Sequence, residues 1–235
     1  MTKKVPQVAK PRTPLFAGIA DKVWQEVLAC AAYRVVSSGA FLFHQGEPST
    51  AFYLLQQGRV KVTQVTPEGH EVIVAILGPG DIVGGIAVIA DIPYPASAQA
   101  VETCRLWCWD RETFWRLLER YPALALNALR VLAGRFQELQ DRYRELATER
   151  VERRVARALL RLAGQMGRRE ADRVVIDYPL TRQDLAELTG TTLYTVSRIL
   201  RRWEEQGLVE VGRERVHILS PHGLVSIAED EPFPQ

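Results

Sequence analysis

A strict apolar repeat in the middle of the chain requires a long helix with a partner. Six apolar residues follow one another at spacings of 3, 4, 3, 4 and 3: Leu129, Leu132, Phe136, Leu139, Tyr143 and Leu146. This heptad spacing is typical of a coiled-coil seam and is narrower than the apolar stripe of an ordinary surface helix. Charged residues flank the seam. We therefore expect a parallel coiled-coil homodimer, the alternative being a helix that packs on the strand-rich segment of its own chain.

The segment before the repeat has the pattern of a small β-domain. Between residues 33 and 109, short β-branched or aromatic runs are separated by turn signals such as HQGEPS, TPEG and GPGD. Strands at this spacing are typical of a sandwich or small barrel. Residues 59–66 alternate, residues 71–77 are almost continuously apolar, and the turn signal at 67–69 predicts a hairpin between them. A short helix is expected over 21–31.

The segment after the repeat begins with another helix, predicted over 149–166. Five apolar residues form its buried face: Val151, Val155, Ala158, Leu159 and Leu162. Four arginines lie mostly away from that face: Arg153, Arg154, Arg157 and Arg161. We interpret these arginines as a solvated helix surface, with contact to phosphate as the alternative. A loop over 167–173 and a strand over 174–178 are expected to follow.

The next segment has the local signals of two helices joined by a tight turn. Thr181 is a good N-cap with Asp184 in the first turn, and Gly190 can end the helix at positive φ. Thr191 or Thr192 then caps a second helix. The buried face of this helix recurs at i, i+3, i+4 and i+7: Val196, Ile199, Leu200 and Trp203. The strand pair LVEV and RVHIL adds a wing, so the segment predicts a DNA-binding winged helix-turn-helix.

The polar face near the start of the second helix is the candidate DNA-binding surface. Arg198 can donate two hydrogen bonds to guanine O6 and N7, whereas Tyr194 and Ser197 can bond a base edge or a phosphate. Four further residues are expected to contact the DNA backbone: Arg182, Thr191, Thr192 and Arg201. Only five of the 30 basic residues are lysines. The planar fork of arginine suits bidentate contact with phosphates and bases, so double-stranded DNA is the expected partner.

Composition excludes several other classes of protein. The longest apolar run, residues 82–90, contains two glycines and is too short for a membrane helix, which needs about 20 apolar residues. The N-terminus lacks the apolar stretch of a secretory signal, so we expect a cytoplasmic protein with no membrane partner. Three cysteines are too few for a disulfide framework or a four-thiolate site, and no metal is expected. No nucleophile elbow, zinc signature or phosphate-cradling glycine motif is present, so we do not expect an enzyme.

Four segments together resemble one family of bacterial regulators. They are residues 41–62, residues 78–85, the seam helix and residues 181–209, and the similarity runs from about residue 15 to residue 221. They resemble the family of the cyclic AMP receptor protein and the fumarate-nitrate reduction regulator, known as Crp/Fnr. The resemblance implies an α+β fold with an N-terminal cyclic-nucleotide-binding-like β-roll (jelly roll), a long coiled-coil dimerisation helix and a C-terminal winged helix-turn-helix. It also implies a homodimeric transcription factor that reads a palindromic operator and has RNA polymerase as a partner.

Composition and this resemblance together divide the chain into five parts. The two ends are assigned from composition, because prolines and polar residues dominate the first and acidic residues the last. We expect a flexible arm at 1–14, a β-roll sensor domain at 15–122, a dimerisation helix at 123–147, the DNA-binding domain at 148–221 and an acidic tail at 222–235.

Departures from the family's pattern bear on the effector. Where the cyclic-nucleotide-binding members have a Glu that holds the ribose hydroxyl, this chain has Gly85, and it has no Arg near Tyr94 or Pro95 to neutralise the cyclic phosphate. Leu139 and Gln140 stand in the region where the cyclic AMP receptor has hydroxyl residues for adenine. An unpaired phosphate charge in the pocket would be costly, so cyclic AMP is not expected. A different, unidentified small effector is expected near six residues: Gly84, Gly85, Ala96, Ser97, Leu139 and Gln140.

The alternatives are a regulator that is controlled by its abundance without an effector, and a haem or redox sensor. Iron–sulfur members carry an N-terminal cysteine cluster, whereas the first cysteine here is Cys30, so no iron–sulfur cluster is expected. Cys104 and Cys108 fall on one face of a predicted strand and are interpreted as core thiols. His44 and His70 lie near turns and are interpreted as exposed loop residues rather than haem ligands.

Overall fold

The computed structural model describes residues 10, 13–170 and 173–230. The elements up to the long helix are, in chain order, a 3₁₀ turn (Pro14–Phe16), α1 (Asp21–Ala29), β1 (Ala32–Val36), β2 (Phe41–Phe43), β3 (Ala51–Gln57), β4 (Val60–Val65), β5 (Glu71–Leu77), β6 (Ile82–Val83), α2 (Gly85–Ala90), β7 (Ser97–Ala100), β8 (Cys104–Asp110), α3 (Arg111–Arg120) and α4 (Pro122–Thr148). The elements after it are α5 (Val151–Met166), β9 (Gly167–Glu170), β10 (Arg173–Ile176), α6 (Arg182–Thr189), α7 (Leu193–Glu205), β11 (Val209–Gly212), β12 (Arg215–Ile218) and α8 (Pro221–Glu229). The first unit consists of residues up to 139 without 71–73, and the second of the remaining residues.

Two four-stranded antiparallel sheets form a β-roll, in the orders β1-β8-β3-β6 and β2-β7-β4-β5, and all of it except residues 71–73 of β5 belongs to the first unit. In the first sheet, Tyr53 lies opposite Cys108. Because side chains alternate between the two faces of a strand, Tyr53 and Leu55 point to the same face. There they share a core with Val60 and Ala98 of the second sheet. The α+β class predicted from the sequence is therefore confirmed.

Helices cover the opposite face of the first sheet. Phe52 and Leu54 of β3 pack there with Trp107 and Trp109 of β8 against residues of α1, α3 and α4. The indole of Trp109 is fully buried and donates to the carbonyl of Val27 at 2.8 Å. The first unit thus has two cores, one inside the β-roll and one under its helices.

The cysteines and histidines considered as sensors lie where the sequence predicts. Cys104 and Cys108 are buried in the β-roll core, and burial raises the pKa of both thiols. Both thiols therefore stay protonated and weakly nucleophilic near neutral pH. His44 and His70 are exposed. Within the described ranges, no group of three or more His, Cys, Asp or Glu side chains could hold a metal ion.

The first part of the long helix α4 packs on the first unit with a side that differs from the seam. Near its start, Asn127 Nδ2 donates to the carbonyls of Leu15 and Ala17 at 3.0 and 2.8 Å. All six seam residues are exposed in the single chain, from 39% at Leu132 to 74% at Tyr143. The alternative in which the seam packs on the β-domain of the same chain is therefore wrong. Neither α4, with 27 residues, nor another helix in the described part of the chain is apolar enough to cross a membrane.

The second unit differs from the sequence prediction at two points. Residues 167–173, expected to form a loop, begin with β9, which pairs with β10 and completes a four-stranded sheet in the order β11-β12-β10-β9. Residues 222–235, expected to form an acidic tail, begin within α8. Ser220 caps this helix, and Leu224 is fully buried where α8 packs on α5. The apolar run LVSIA is too short to predict a helix by itself, yet it supplies this buried face.

Most of the predicted flexible arm at 1–14 lies outside the described residues. Of the part that the structure describes, Thr13 is buried and Pro14 begins the 3₁₀ turn. The Nζ of Lys10 donates to the carbonyl of Ile19 at 2.5 Å. These three residues are therefore held by the first unit, in contrast to the prediction for them.

The interpretation of the α5 arginines as a solvated surface was wrong for all four: Arg153, Arg154, Arg157 and Arg161. Arg153 Nε donates to the carbonyl of Ala228 at 3.1 Å, and Arg161 Nη1 donates to the carboxylate of Glu145 at 2.6 and 2.9 Å. Arg154 and Arg157 also bond to protein acceptors. Helix-end carbonyls and buried carboxylates need donors, and acceptors such as Ala228 and Thr189 lie too far along the chain for the local pattern to reveal them.

Candidate nucleic-acid interface

Two capped helices and a glycine turn determine the geometry of the helix-turn-helix. Thr181 and Asp184 form a capping box at the start of α6, in which each side chain accepts from the other residue's backbone N–H, at 3.0 and 2.9 Å. The helix ends at Gly190, whose φ of 62° lies in the left-handed region that favours glycine. Thr192 caps α7 by accepting from the N–H of Thr195 at 3.2 Å. The predicted caps and turn are thus confirmed.

Helix α7 is held by one face and exposes the other. The predicted inner residues are at most 5% exposed, and Trp203 Nε1 donates to the carboxylate of Glu152 at 3.0 Å. On the outer face, Tyr194 is 75% exposed. Arg198 is exposed and has no hydrogen bond or ion pair to the described residues. Arg201 is exposed too, but its Nε lies 3.2 Å from the carboxylate of Glu205.

The remaining predicted residues lie at the start of α6 and in or just before the first turns of α7. Thr192 is exposed, whereas Thr191 and Ser197 are half-buried. Arg182 is exposed in the first turn of α6 and lines the same cleft as Leu193, the first residue of α7. The structure therefore places Arg182 of α6 beside the start of α7.

A cleft of about 580 Å³ separates the start of α6 from the wing. Its lining includes Arg182, Gln183, Arg213 and Arg215. The two wing arginines flank Glu214, whose positive φ of 56° closes a tight hairpin between β11 and β12. Sequence reasoning named Arg182 but missed the other three. The signal that could have found the two wing arginines is the charged RER triplet at the predicted hairpin turn.

The electrostatics of this cleft favour an anion. The lining includes three arginines and one glutamate, and the N–H groups at the start of α6 add partial positive charge. On the neighbouring strands, the Glu210 carboxylate lies 3.3 Å from His217 Nδ1 and accepts from Arg173 Nη1 at 2.9 Å. The pKa of Glu210 is therefore lower than its usual range. The main cause is the hydrogen bond with His217, and the charge of Arg173 adds to it. This acid is thus already paired on the wing sheet.

The space beside Gly84 in the β-roll is occupied by aromatic side chains. A Cβ on Gly84 would lie 3.0 Å from the ring of Tyr94 and 3.1 Å from the ring of Phe43. These two rings stack with their centroids 3.7 Å apart. The hydroxyl of Tyr94 accepts from the N–H of Ala51 at 3.2 Å and donates to the Ala51 carbonyl, while burial raises the pKa of this hydroxyl.

The other residues predicted for an effector pocket have their own partners or face outward. Ser97 and Ala96 are buried, and Ser97 Oγ accepts from the N–H of Gln45 at 2.9 Å. Leu139 and Gln140 are exposed residues of α4.

Two family models match the chain. Residues 33–121 match the model described as cyclic nucleotide-binding domain, and residues 153–227 match the model described as Crp-like helix-turn-helix domain. The two matches fall on the β-roll and on the winged helix-turn-helix.

Curated proteins and solved structures agree with these matches. The chain is 33% identical to the cyclic AMP receptor protein of Thermus thermophilus over 217 residues, which is 92% of this chain and 97% of that protein. It is 27% identical to the transcriptional activator protein anr of Pseudomonas aeruginosa, covering 83% of this chain and 80% of that protein. The crystal structure of the Thermus thermophilus catabolite activator protein superposes with a TM-score of 0.55 at 32% identity, covering 94% of this chain and 100% of that chain.

Proposed function

Because this chain belongs to the Crp/Fnr family of transcription regulators, we propose that it acts as a homodimer that reads a palindromic operator. The chain is a helix-turn-helix DNA-binding regulator, and its relatives are regulators rather than enzymes. The proposal adds dimerisation through the seam, the absence of a catalytic activity, a cytoplasmic location beside the DNA, and RNA polymerase as a further partner.

The proposal depends on one observation: two surfaces that would each need a partner are exposed to solvent in the single chain. One is the apolar seam of α4, whose burial against the seam of a second copy would stabilise a dimer. The other is the outer face of α7, which carries Arg198. A two-fold axis along the paired seams puts the two α7 helices in successive major grooves, about 34 Å apart.

Each predicted residue of the helix-turn-helix, and each polar residue of the wing cleft named above, has a proposed role. Arg198 reads a guanine, because its free guanidinium can donate to O6 and N7 together. Tyr194 and Ser197 contact base edges or phosphates. The remaining residues hold the DNA backbone: Arg182, Gln183, Thr191, Thr192, Arg201, Arg213 and Arg215. The wing cleft, with its three arginines, binds a phosphate of the DNA next to the major groove that α7 enters.

Selection of duplexes from a random DNA pool at fixed salt tests the palindrome. We expect the bound fragments to share an inverted repeat whose half-site centres lie about one helical turn apart, because two identical α7 helices read it. A parallel selection with the Arg198→Ala variant controls for sequences enriched by the wing and backbone contacts alone. Enrichment of a single half-site, or of no motif, would contradict dimeric reading.

We further propose that the β-roll responds to a small effector other than cyclic AMP. In support, Gly85 offers no carboxylate for a ribose, and the Tyr94 and Phe43 rings occupy the space beside Gly84. The same aromatic stack favours the alternative of a regulator without an effector, because it fills part of the pocket with the chain's own side chains. A redox sensor has no comparable support, since Cys104 and Cys108 are buried and burial raises the pKa of both thiols. A haem sensor has none either, since His44 and His70 are exposed loop residues.

Thermal unfolding with and without cyclic AMP tests this proposal. A ligand present at about 100 times its Kd stabilises the folded state by ~2.7 kcal/mol. We therefore expect no rise in Tm at about 1 mM cyclic AMP, a concentration that reveals any Kd below about 10 µM. The selected operator duplex, which should raise Tm, serves as the positive control. A clear rise with cyclic AMP would contradict the proposal, and a rise with another metabolite would exclude the effector-free alternative.

A further inference from the structure

An arginine in the first turn of α5 connects the end of α4 with the turn of the helix-turn-helix. Arg154 Nη1 donates to the carbonyl of Glu149, just beyond the end of α4, at 2.9 Å. Its Nε donates to the carbonyl of Thr189, the last residue of α6, at 3.0 Å. Its Nη2 lies 3.4 Å from the carbonyl of Gly190. One guanidinium therefore bonds both the chain that leaves α4 and the turn that leads into α7.

The chemistry of these acceptors explains why arginine suits this position. The last carbonyls of a helix have no partner within the helix and carry partial negative charge. Two such helix ends meet at Arg154, and the guanidinium fork offers five donors in a fixed plane. A lysine has the same charge but no fork, so it cannot hold the three carbonyls in one geometry.

The last seam residue touches the same turn. A Cβ on Gly190 would lie 3.1 Å from Leu146 Cδ2. Leu146 is nevertheless 53% exposed, so part of its side chain remains available to a second copy. A single residue of α4 thus belongs both to the seam and to the contact with the turn.

Two further bonds join the surrounding helices. Glu145 of α4 is 6% exposed and accepts from Arg161 of α5 at 2.6 Å. Glu152 of α5 accepts from Trp203 of α7 at 3.0 Å. The end of α4 is therefore bonded to α5, and α5 is bonded to α7, while Arg154 and Leu146 contact the turn between α6 and α7 directly.

We propose that Arg154 is a positioning residue that sets the placement of α7 relative to the end of α4. Through Arg154 and Leu146, the packing of the two seams at their C-terminal ends determines how far apart and at what angle the two α7 helices stand. Arg154 itself does not contact DNA. This inference rests on the proposed dimeric reading of an operator.

Operator affinity tests the inference first. We expect Arg154→Ala to reduce affinity for the selected operator about fivefold, with affinity for random DNA and the dimer dissociation constant changed by less than about twofold. Arg154→Lys should not restore operator affinity. Arg153→Ala is the matched control, because it removes the same charge from the same helix. Arg153 hydrogen-bonds Ala228 on α8, and its contact with the Glu149 side chain is only a 3.9 Å ion pair, so this variant should behave like the parent protein. Unchanged operator affinity in both Arg154 variants would overturn the inference.

The distance between the two α7 helices provides a readout that a purely stabilising role of Arg154 would not change. A spin label is attached at Gln206, the exposed C-cap of α7, through Gln206→Cys in a Cys30→Ser background. Pulsed electron paramagnetic resonance then gives the distance between the labels of the two subunits. We expect one narrow distribution in the parent and a broader one in Arg154→Lys, which keeps the charge and length of the side chain. An unchanged distribution would overturn the inference even if Tm falls. A parent protein with no intersubunit distance would instead overturn the proposed dimer.

Discussion

The double substitution Leu132→Glu and Leu139→Glu is expected to separate the dimer and to weaken operator binding by more than about 100-fold. Both leucines belong to the seam and are 39% and 62% exposed in the single chain, so the substitutions do not disturb a core of the monomer. In the dimer, each would place a carboxylate in a desolvated contact opposite its own copy. A monomer reads one half-site only and loses the avidity of two linked contacts, which amounts to about 10²- to 10⁴-fold.

Sedimentation and operator titration at fixed salt measure the two effects. The matched control is Ala123→Glu and Gln137→Glu, which adds the same charge to exposed positions of α4 on the side of the helix away from the seam. The control should remain dimeric and bind as the parent does. If the seam variant stayed dimeric, the seam would not be the dimer interface. If it became monomeric and bound the operator with undiminished affinity, dimeric reading would be wrong.

The parts of the fold that follow from neighbouring residues were predictable from the sequence. Thr181, Asp184 and Gly190 set the ends of α6 through bonds that span only a few residues, so the pattern alone located the turn. The face of α7 that buries Trp203 follows from the 3.6-residue period in the same way. For the seam, the heptad spacing predicted a stripe without a partner in its own chain, and the exposure of Tyr143 and its companions agrees.

The parts that depend on distant partners could not be predicted. Arg153 and Ala228 are 75 residues apart in the chain, and nothing near either residue indicates that one bonds the other. The short apolar run of α8 becomes a buried helix only because α5 offers a matching face. In the β-roll, the stacking of Phe43 on Tyr94 brings together the end of β2 and the loop before β7, which are 51 positions apart in the sequence. Pockets and helix-end contacts therefore depend on residues that are distant in the chain, and the sequence pattern does not identify these partners.

Removing the Arg198 side chain is expected to cost about 1 to 3 kcal/mol of operator affinity and to relax the preference at one base pair. The guanidinium stands exposed on the outer face of α7 and has no hydrogen bond or ion pair to the described residues, so it is available for guanine O6 and N7. Arg198→Ala should bind random DNA nearly as the parent does. Arg201→Ala serves as the comparison on the same helix, because a backbone contact should weaken operator and random DNA alike.

A modified base tests whether Arg198 reads the guanine itself. The guanine to replace is the one at the base pair where Arg198→Ala loses its sequence preference. Replacing it by 7-deazaguanine removes the N7 acceptor and leaves O6 and the base pair intact. We expect this replacement to weaken binding of the parent severalfold and to leave Arg198→Ala unaffected, because the variant no longer donates to N7. Equal losses in the parent and the variant would mean that the two changes are independent and that Arg198 does not contact this base. A uniform loss on operator and random DNA in Arg198→Ala would make the arginine a phosphate contact, and the sequence preference of α7 would then rest on Tyr194 and Ser197.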